Sequence, residues 1–142
     1  MRKNQKNLLV EKILENAQKN SNLKIFEDTK NSITFGQLLK VSLSNVETIN
    51  LYKSNYIPIL IDRNIDSLIA ILSVILSKKT FCPISPSLPY KRIKKMNQAL
   101  NSKYIINCSN KTLSKLSNLK EIKLNKINSL AKLKKYQNRY SI

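Results

Sequence analysis

An α/β fold with a largely parallel sheet and helices on both of its faces is what this sequence predicts. Three features carry the prediction. Short β-branched runs alternate with longer runs of helical period, which is the spacing of βαβ units. Strand-like runs recur far enough apart for a helix to cross between them. One helical run, from Ile65 to Ser77, is apolar nearly all round and needs cover on every side.

The elements follow in order. Leu8, Leu9, Ile13, Leu14 and Ala17 share one face of an amphipathic helix from about Asn7 to Lys19. Leu23 to Phe26 alternates as a strand, 27–32 is a polar turn, and Ile33 to Phe35 pairs back as a second strand. From Gly36 the period changes to that of a helix running to about Leu51. Tyr56 to Ile61 is short and apolar on both faces, as a central strand is, although Pro58 argues for a strand start or an irregularity. Asn64 is placed to cap the Ile65–Ser77 helix. Thr80 to Pro83 reads as a strand; Pro83, Pro86 and Pro89 then stiffen a connector into a helix reaching Leu100. Lys103 to Asn107 is another strand. Leu113–Leu116 carries a weaker signal, followed by a strand at Leu119–Leu124 and a basic helix holding Ile127, Leu130 and Leu133.

At 142 residues the chain suffices for one domain. Its net charge is +18, and the imbalance is local: beyond Ala70 there are sixteen basic residues and one acid, Glu121. Such a half attracts polyanions. Arginine, which reads phosphate through a bidentate fork, occurs only at Arg2, Arg63, Arg92 and Arg139. The abundance of Lys, Asn and Ile is also what AT-rich codons produce. Histidine is absent, which excludes His-based acid–base catalysis and most zinc sites. Cys82 and Cys108 form no CxxC pair and read as buried free thiols. The apolar run after Met1–Lys6 is too short for a signal peptide, and Leu68–Leu76 is too short for a membrane span. The expectation is a cytoplasmic chain with no membrane partner.

Two stretches bear a family resemblance. Ile33-Thr34-Phe35-Gly36-Gln37-Leu38 resembles an apolar-Thr-aromatic-x-x-Leu strand-to-helix step. Ile75-Leu76-Ser77-Lys78-Lys79-Thr80-Phe81-Cys82-Pro83-Ile84-Ser85-Pro86, with Pro89 to Arg92 behind it, resembles LKAGxAYxPLDP and its trailing PxxR. These are the first two core motifs of the adenylate-forming (AMP-binding) synthetases and ligases, which include the adenylation domains of nonribosomal peptide synthetases and D-alanyl carrier-protein ligases. The resemblance is clear over about 23–107 and makes 1–142 a single partial domain, the amino-terminal piece of the family's large domain. Two positions depart from the pattern: the family's glycine falls on Lys78 and its aspartate on Ser85.

The resemblance implies ATP-dependent adenylation of a carboxylic or amino acid, with ATP and Mg²⁺ as cofactors of the intact family. That chemistry needs a Ser/Thr/Gly-rich loop around the phosphates and a lysine against the developing charge. Gly36 is the only glycine in the chain, so no glycine-rich cradle is present, and Tyr140-Ser141-Ile142 resembles only the lead-in to that loop. No catalytic, cofactor-binding or metal-binding residue is assigned. Asp62, Arg63 and Asp66 follow a strand end but read as solvated loop charges and a helix-start acid. Lys78-Lys79 and Lys94-Lys95 read as exposed faces. Three readings remain: a truncated ligase domain inactive alone, a non-catalytic basic module binding an acidic partner or nucleic acid, and an enzyme completed by a separately encoded remainder.

Overall fold

The computed structural model describes residues 8–116 and 119–133. The residues Met1–Lys6, Asn7 as a helix start, and the resemblance at Tyr140–Ile142 lie outside that range. Helix α1 (Leu8–Lys19) precedes an antiparallel hairpin of β1 (Lys24–Glu27) and β2 (Ser32–Thr34). Then come α2 (Phe35–Ser44), α3 (Val46–Asn50), β3 (Tyr56–Leu60), α4 (Ile65–Leu76), β4 (Thr80–Ile84), α5 (Tyr90–Ala99) and β5 (Tyr104–Asn107). A 3₁₀ turn (Leu113–Lys115), β6 (Lys120–Glu121) and a second 3₁₀ segment (Ile127–Lys132) follow. Strands β4-β3-β5-β6 form one sheet in that order, every pair parallel.

The first motif is a helix-start device. Thr34 Oγ1 accepts from the Gln37 backbone N–H at 3.2 Å, and Gln37 Oε1 accepts from the Thr34 N–H at 3.0 Å, a reciprocal capping box. The N–H groups of Phe35 and Gly36 donate to the carbonyls of Leu23 and Ser21, both at 2.9 Å. The first turn of α2 is thereby satisfied by the backbone of the turn between α1 and β1. Glycine is needed because a Cβ at position 36 would lie 3.0 Å from Ser21 O and 3.1 Å from Ser21 Cβ.

Side chains of the sheet alternate between two clusters. Ile57, Ile59 and Ile106 pack with Ala70 and Val74 of α4; Leu60 and Ile105 pack on the opposite face with Ile93 of α5 and Leu116. Helix α4 is covered again on its outer side, where Ile65, Ile69 and Leu72 meet Ile33, Leu38 and Val41. Its all-round apolar pattern thus has a physical cause: sheet on one side, α2 and the hairpin on the other. Two serines on α4 and a third at its C-cap stay satisfied in this dry setting. Ser73 and Ser77 donate to carbonyls four residues back at 2.6 and 2.7 Å, and Ser67 Oγ accepts from the Asp62 N–H.

Three expectations are corrected. The helix expected from Gly36 to about Leu51 is two helices, broken at Asn45, which is 1% exposed. Asn45 Nδ2 donates to Ser73 Oγ (3.1 Å) and to the Asn125 carbonyl (3.0 Å), while Oδ1 accepts from the Asn125 N–H (2.7 Å). A buried amide with such partners holds the backbone at the break. The expected strand Leu119–Leu124 contracts to Lys120–Glu121, and the expected basic helix beyond it is 3₁₀.

Pro58 lies inside β3 and not at its start. Leu60 receives the Cys108 N–H and Ile61 donates to Ile84, so residues 58 and 60 face β5 while 57, 59 and 61 face β4. The missing N–H of Pro58 would have bonded the Tyr104 carbonyl. That carbonyl instead accepts from Ser102 Oγ at 2.8 Å and Asn97 Nδ2 at 3.3 Å. A proline is tolerated in this central strand because other donors replace its own.

Candidate functional site

Ligands of parallel α/β sheets bind beyond the carboxyl ends of the strands where the chain reverses its order. Here that point lies between β3 and β5, because β4 is added on one side of β3 and β5 on the other. Asn64 spans the gap. Its Oδ1 caps α4 by accepting from the Ser67 N–H at 2.8 Å, and its Nδ2 donates to the Cys108 carbonyl at 2.8 Å. The cap expected from the sequence is present, and it also joins the two strand ends.

The acids beside it serve the backbone. Asp62 Oδ1 accepts from the Arg63 N–H at 2.8 Å, and Asp66 Oδ1 accepts from the Ile127 N–H at 3.2 Å. The sequence cluster of Asp62, Arg63 and Asp66 is therefore divided: two members form a local turn and the third holds the 3₁₀ segment. Asp28, in the polar turn expected over 27–32, is brought to the same end. Its Oδ1 accepts from Lys30 and Asn31, its Oδ2 from the Ile65 N–H at 3.1 Å at the start of α4. The backbone N–H groups of Lys30, Asn31 and Ile65, in that order of effect, hold its carboxyl below the ordinary 3.8. Its legible signal was an Asp two and three residues ahead of Lys30-Asn31, the pattern of an Asx turn.

After β4, Ser85 Oγ and Ser87 Oγ lie 2.7 Å apart. The connector they belong to is strapped down by Lys111, whose ammonium donates to the carbonyls of Pro86 (3.0 Å) and Leu88 (2.8 Å) and sits 4.2 Å from the Tyr90 ring centroid. Lys111 carries no sequence signal, since its partners come from 23 and 25 residues away.

A cavity of about 300 Å³ lies between α4, the end of β5 and residues 121–126. Asp66, Glu121, Lys123 and Lys126 ring it, over an apolar floor that includes Ile69 and Ile106. Cys108 also lines it, and burial pushes its thiol up to about 11. A thiol so held stays protonated at neutral pH and is a poor nucleophile. Both cysteines are free. Among the described residues no group of three or more His, Cys, Asp or Glu is placed to hold a metal, and no helix is long and apolar enough to cross a membrane.

The lysines divide. Lys78 is exposed, with φ 59°, in the left-handed region. Lys79 is half-buried, contrary to the exposed face expected for it, and its ammonium donates to the carbonyls of Ile49 (3.1 Å) and Tyr52 just past α3. Desolvation lowers its pKa. Cations satisfy helix-end carbonyls in this way. Lys94 and Lys95 remain on the exposed face of α5, with Lys91 and Arg92.

The helix order and parallel sheet define the fold of the amino-terminal portion of adenylate-forming enzymes. Among solved structures, o-succinylbenzoate CoA synthetase of Bacillus subtilis, in complex with its acyl-adenylate intermediate, matches 84% of this chain at a TM-score of 0.69 and 14% identity. A Vibrio cholerae adenylation domain in complex with glycyl-adenosine-5'-phosphate matches 98% of it at a TM-score of 0.64 and 14% identity. The N-terminal subdomain of a Klebsiella oxytoca protein, in complex with 3-hydroxyanthranilyl-AMSN, matches 94% at a TM-score of 0.65 and 18% identity. This chain spans 32% of each of those three chains. No protein-family profile matches the sequence. No curated protein matches it either.

Proposed function

We propose that this chain is the amino-terminal part of an AMP-dependent, adenylate-forming synthetase or ligase, and that these 142 residues alone do not adenylate an acid. The observation that carries the reading is agreement between two independent lines. The motif residue Thr34 caps α2, the position of the family's glycine, Lys78, holds a helix-ending left-handed turn, and the same chain shares its fold with structures holding acyl- and aminoacyl-adenylates. In the intact family ATP and Mg²⁺ meet a Ser/Thr/Gly-rich loop. With Gly36 packed against Ser21 and no second glycine, these 142 residues offer no such loop. The carboxylates of Asp28, Asp62 and Asp66 accept from backbone N–H groups, a structural use of all three. The role left to the chain is scaffold: it buries one side of the parallel sheet on which the remainder, in the same or a separate polypeptide, builds its site. Free thiols favour a reducing compartment such as the cytoplasm.

ATP–pyrophosphate exchange tests this. The purified chain is expected to give no exchange above background with any amino or carboxylic acid, and exchange is expected to appear when the remainder of the ligase domain is supplied. Exchange by the chain alone would overturn the reading.

A second reading, polyanion binding, is favoured by one observation: Lys91, Arg92, Lys94 and Lys95 are all exposed on α5, a helix without a single acid. Binding to heparin or DNA should then weaken steeply with salt. Salt-insensitive or absent binding removes it.

A further inference from the structure

Far from the carboxyl ends of the strands, a cavity of about 250 Å³ opens beside the last turn of α5 and the start of β5. It is lined by two lysines, Lys94 and Lys103, and three amide side chains, Asn97, Gln98 and Asn101, with no acid. Asn97 is 1% exposed. Its Nδ2 is turned to the carbonyls of Ser102 (3.4 Å) and Tyr104 (3.3 Å). Its Oδ1 accepts nothing, and it is the single buried side-chain polar atom without a partner among the described residues. Exchanging the amide's two ends would set oxygen against two carbonyl oxygens, so the network itself fixes the orientation. A buried acceptor left bare costs free energy that a bound donor would recover.

The lining residues therefore combine cationic and amide donors with an unmet acceptor lying just behind the surface. An anion that also carries a proton meets both needs. We infer that this cavity binds a hydrogen-phosphate group, as orthophosphate or as the end of a phosphomonoester. The phosphate O–H donates to Asn97 Oδ1, and the anionic oxygens accept from Lys94, Lys103 and the amide N–H groups of Gln98 and Asn101. Asn97 Oδ1 has essentially no exposed surface of its own, so a neighbouring side chain swings aside on binding. Lys94, Gln98 and Lys103 are exposed and reorient on a picosecond-to-nanosecond scale. The inference is independent of the adenylation reading, because the cavity lies at the other end of the sheet.

The test is a titration of the full ¹⁵N-labelled chain with orthophosphate, glycerol phosphate and sulfate at matched ionic strength and about pH 6, close to the second pKa of a phosphomonoester, so that both phosphates still supply the proton. Sulfate has the shape of phosphate and a negative charge but no proton there. Saturable shifts are expected at the Asn97 side-chain amide and at the backbone of residues 101–103, with sulfate about tenfold weaker for want of one hydrogen bond. Stronger binding of orthophosphate identifies the free ion as the source, and stronger binding of glycerol phosphate a monoester. A Lys94→Gln/Lys103→Gln double variant changes only exposed side chains and should keep the fold while weakening phosphate binding by about threefold or more. Equal binding of sulfate, unchanged affinity in the double variant, or no saturable shift at Asn97 would each overturn the inference.

Discussion

Replacing Lys78 by glycine should stabilise this protein, and the reason lies in one dihedral angle. Helix α4 ends at Leu76, Ser77 is its C-cap, and Lys78 follows with φ 59°. The Lys78 N–H donates to Ile75 O at 3.0 Å and the Lys79 N–H to Val74 O at 3.2 Å, the paired bonds of a Schellman motif. A side chain with a Cβ pays about 1–2 kcal/mol to sit in that region, whereas glycine enters it freely. Glycine's greater freedom in the unfolded chain takes back about 0.5–1 kcal/mol. The exposed lysine side chain has little packing to lose. The net expectation is a gain of about 0.5–1 kcal/mol, or roughly 2–4 °C in Tm for a chain of this size. Urea unfolding and calorimetry on Lys78→Gly and Lys78→Ala measure it. Alanine keeps the Cβ, so it should gain nothing. If alanine stabilises as much as glycine, or if glycine destabilises, the left-handed turn is not the source of the strain and the argument fails.

Other outcomes follow from the same geometry. Gly36→Ala sets a methyl 3.0 Å from the Ser21 carbonyl and should cost about 1–3 kcal/mol, read as a lower urea midpoint; an unchanged midpoint would mean the hairpin yields freely. Asn45→Ala strips partners from Ser73 and from both backbone groups of Asn125, so a loss of about 2–4 kcal/mol is expected. Hydrogen exchange at residues 120–133 should rise in the same variant, and unchanged exchange there would show that the clamp does not hold that segment. Cys108 ionises more readily unfolded, near 9.0, than folded, near 11, so its contribution is present below pH 9 and lost as pH rises towards 11. The two-unit difference is worth roughly 2–3 kcal/mol. A Cys108→Ala variant should show a flatter alkaline limb, and thiol labelling should find Cys82 first; a Cys108 that labels as fast as Cys82 contradicts its burial.

How much was legible beforehand differs from element to element. The capping box at Thr34 and Gln37 was read as a motif without its mechanism; the mechanism is local, made by residues three apart, and so sequence carries it. Asn64 was read correctly for the same reason. Lys79 was misread because its carbonyl partners belong to α3 and the residue beyond, 27 and 30 positions away. Lys111 left no trace for a similar reason, and Asp28 shows only its local Asx turn: the Ile65 N–H that it also holds is brought to it by packing. The candidate site was legible mainly as something missing, a phosphate cradle that one glycine cannot build.

The sequence by itself determined the class of fold and the order of elements, because hydrophobic period and capping chemistry act over three or four residues. It also determined which helix is buried on all sides, since α4 carries its apolar residues around its whole circumference. Only the tertiary structure decided the strand order β4-β3-β5-β6, the break at Asn45 and the acceptance of Pro58 within a central strand. Each of these depends on a partner far along the chain: Ile84 and Cys108 flanking β3, Asn125 meeting Asn45, and the β5 strand beside Pro58, whose Tyr104 carbonyl finds donors other than the proline. A hydrogen bond between distant residues is decided by where packing brings them, and no window of sequence contains both ends.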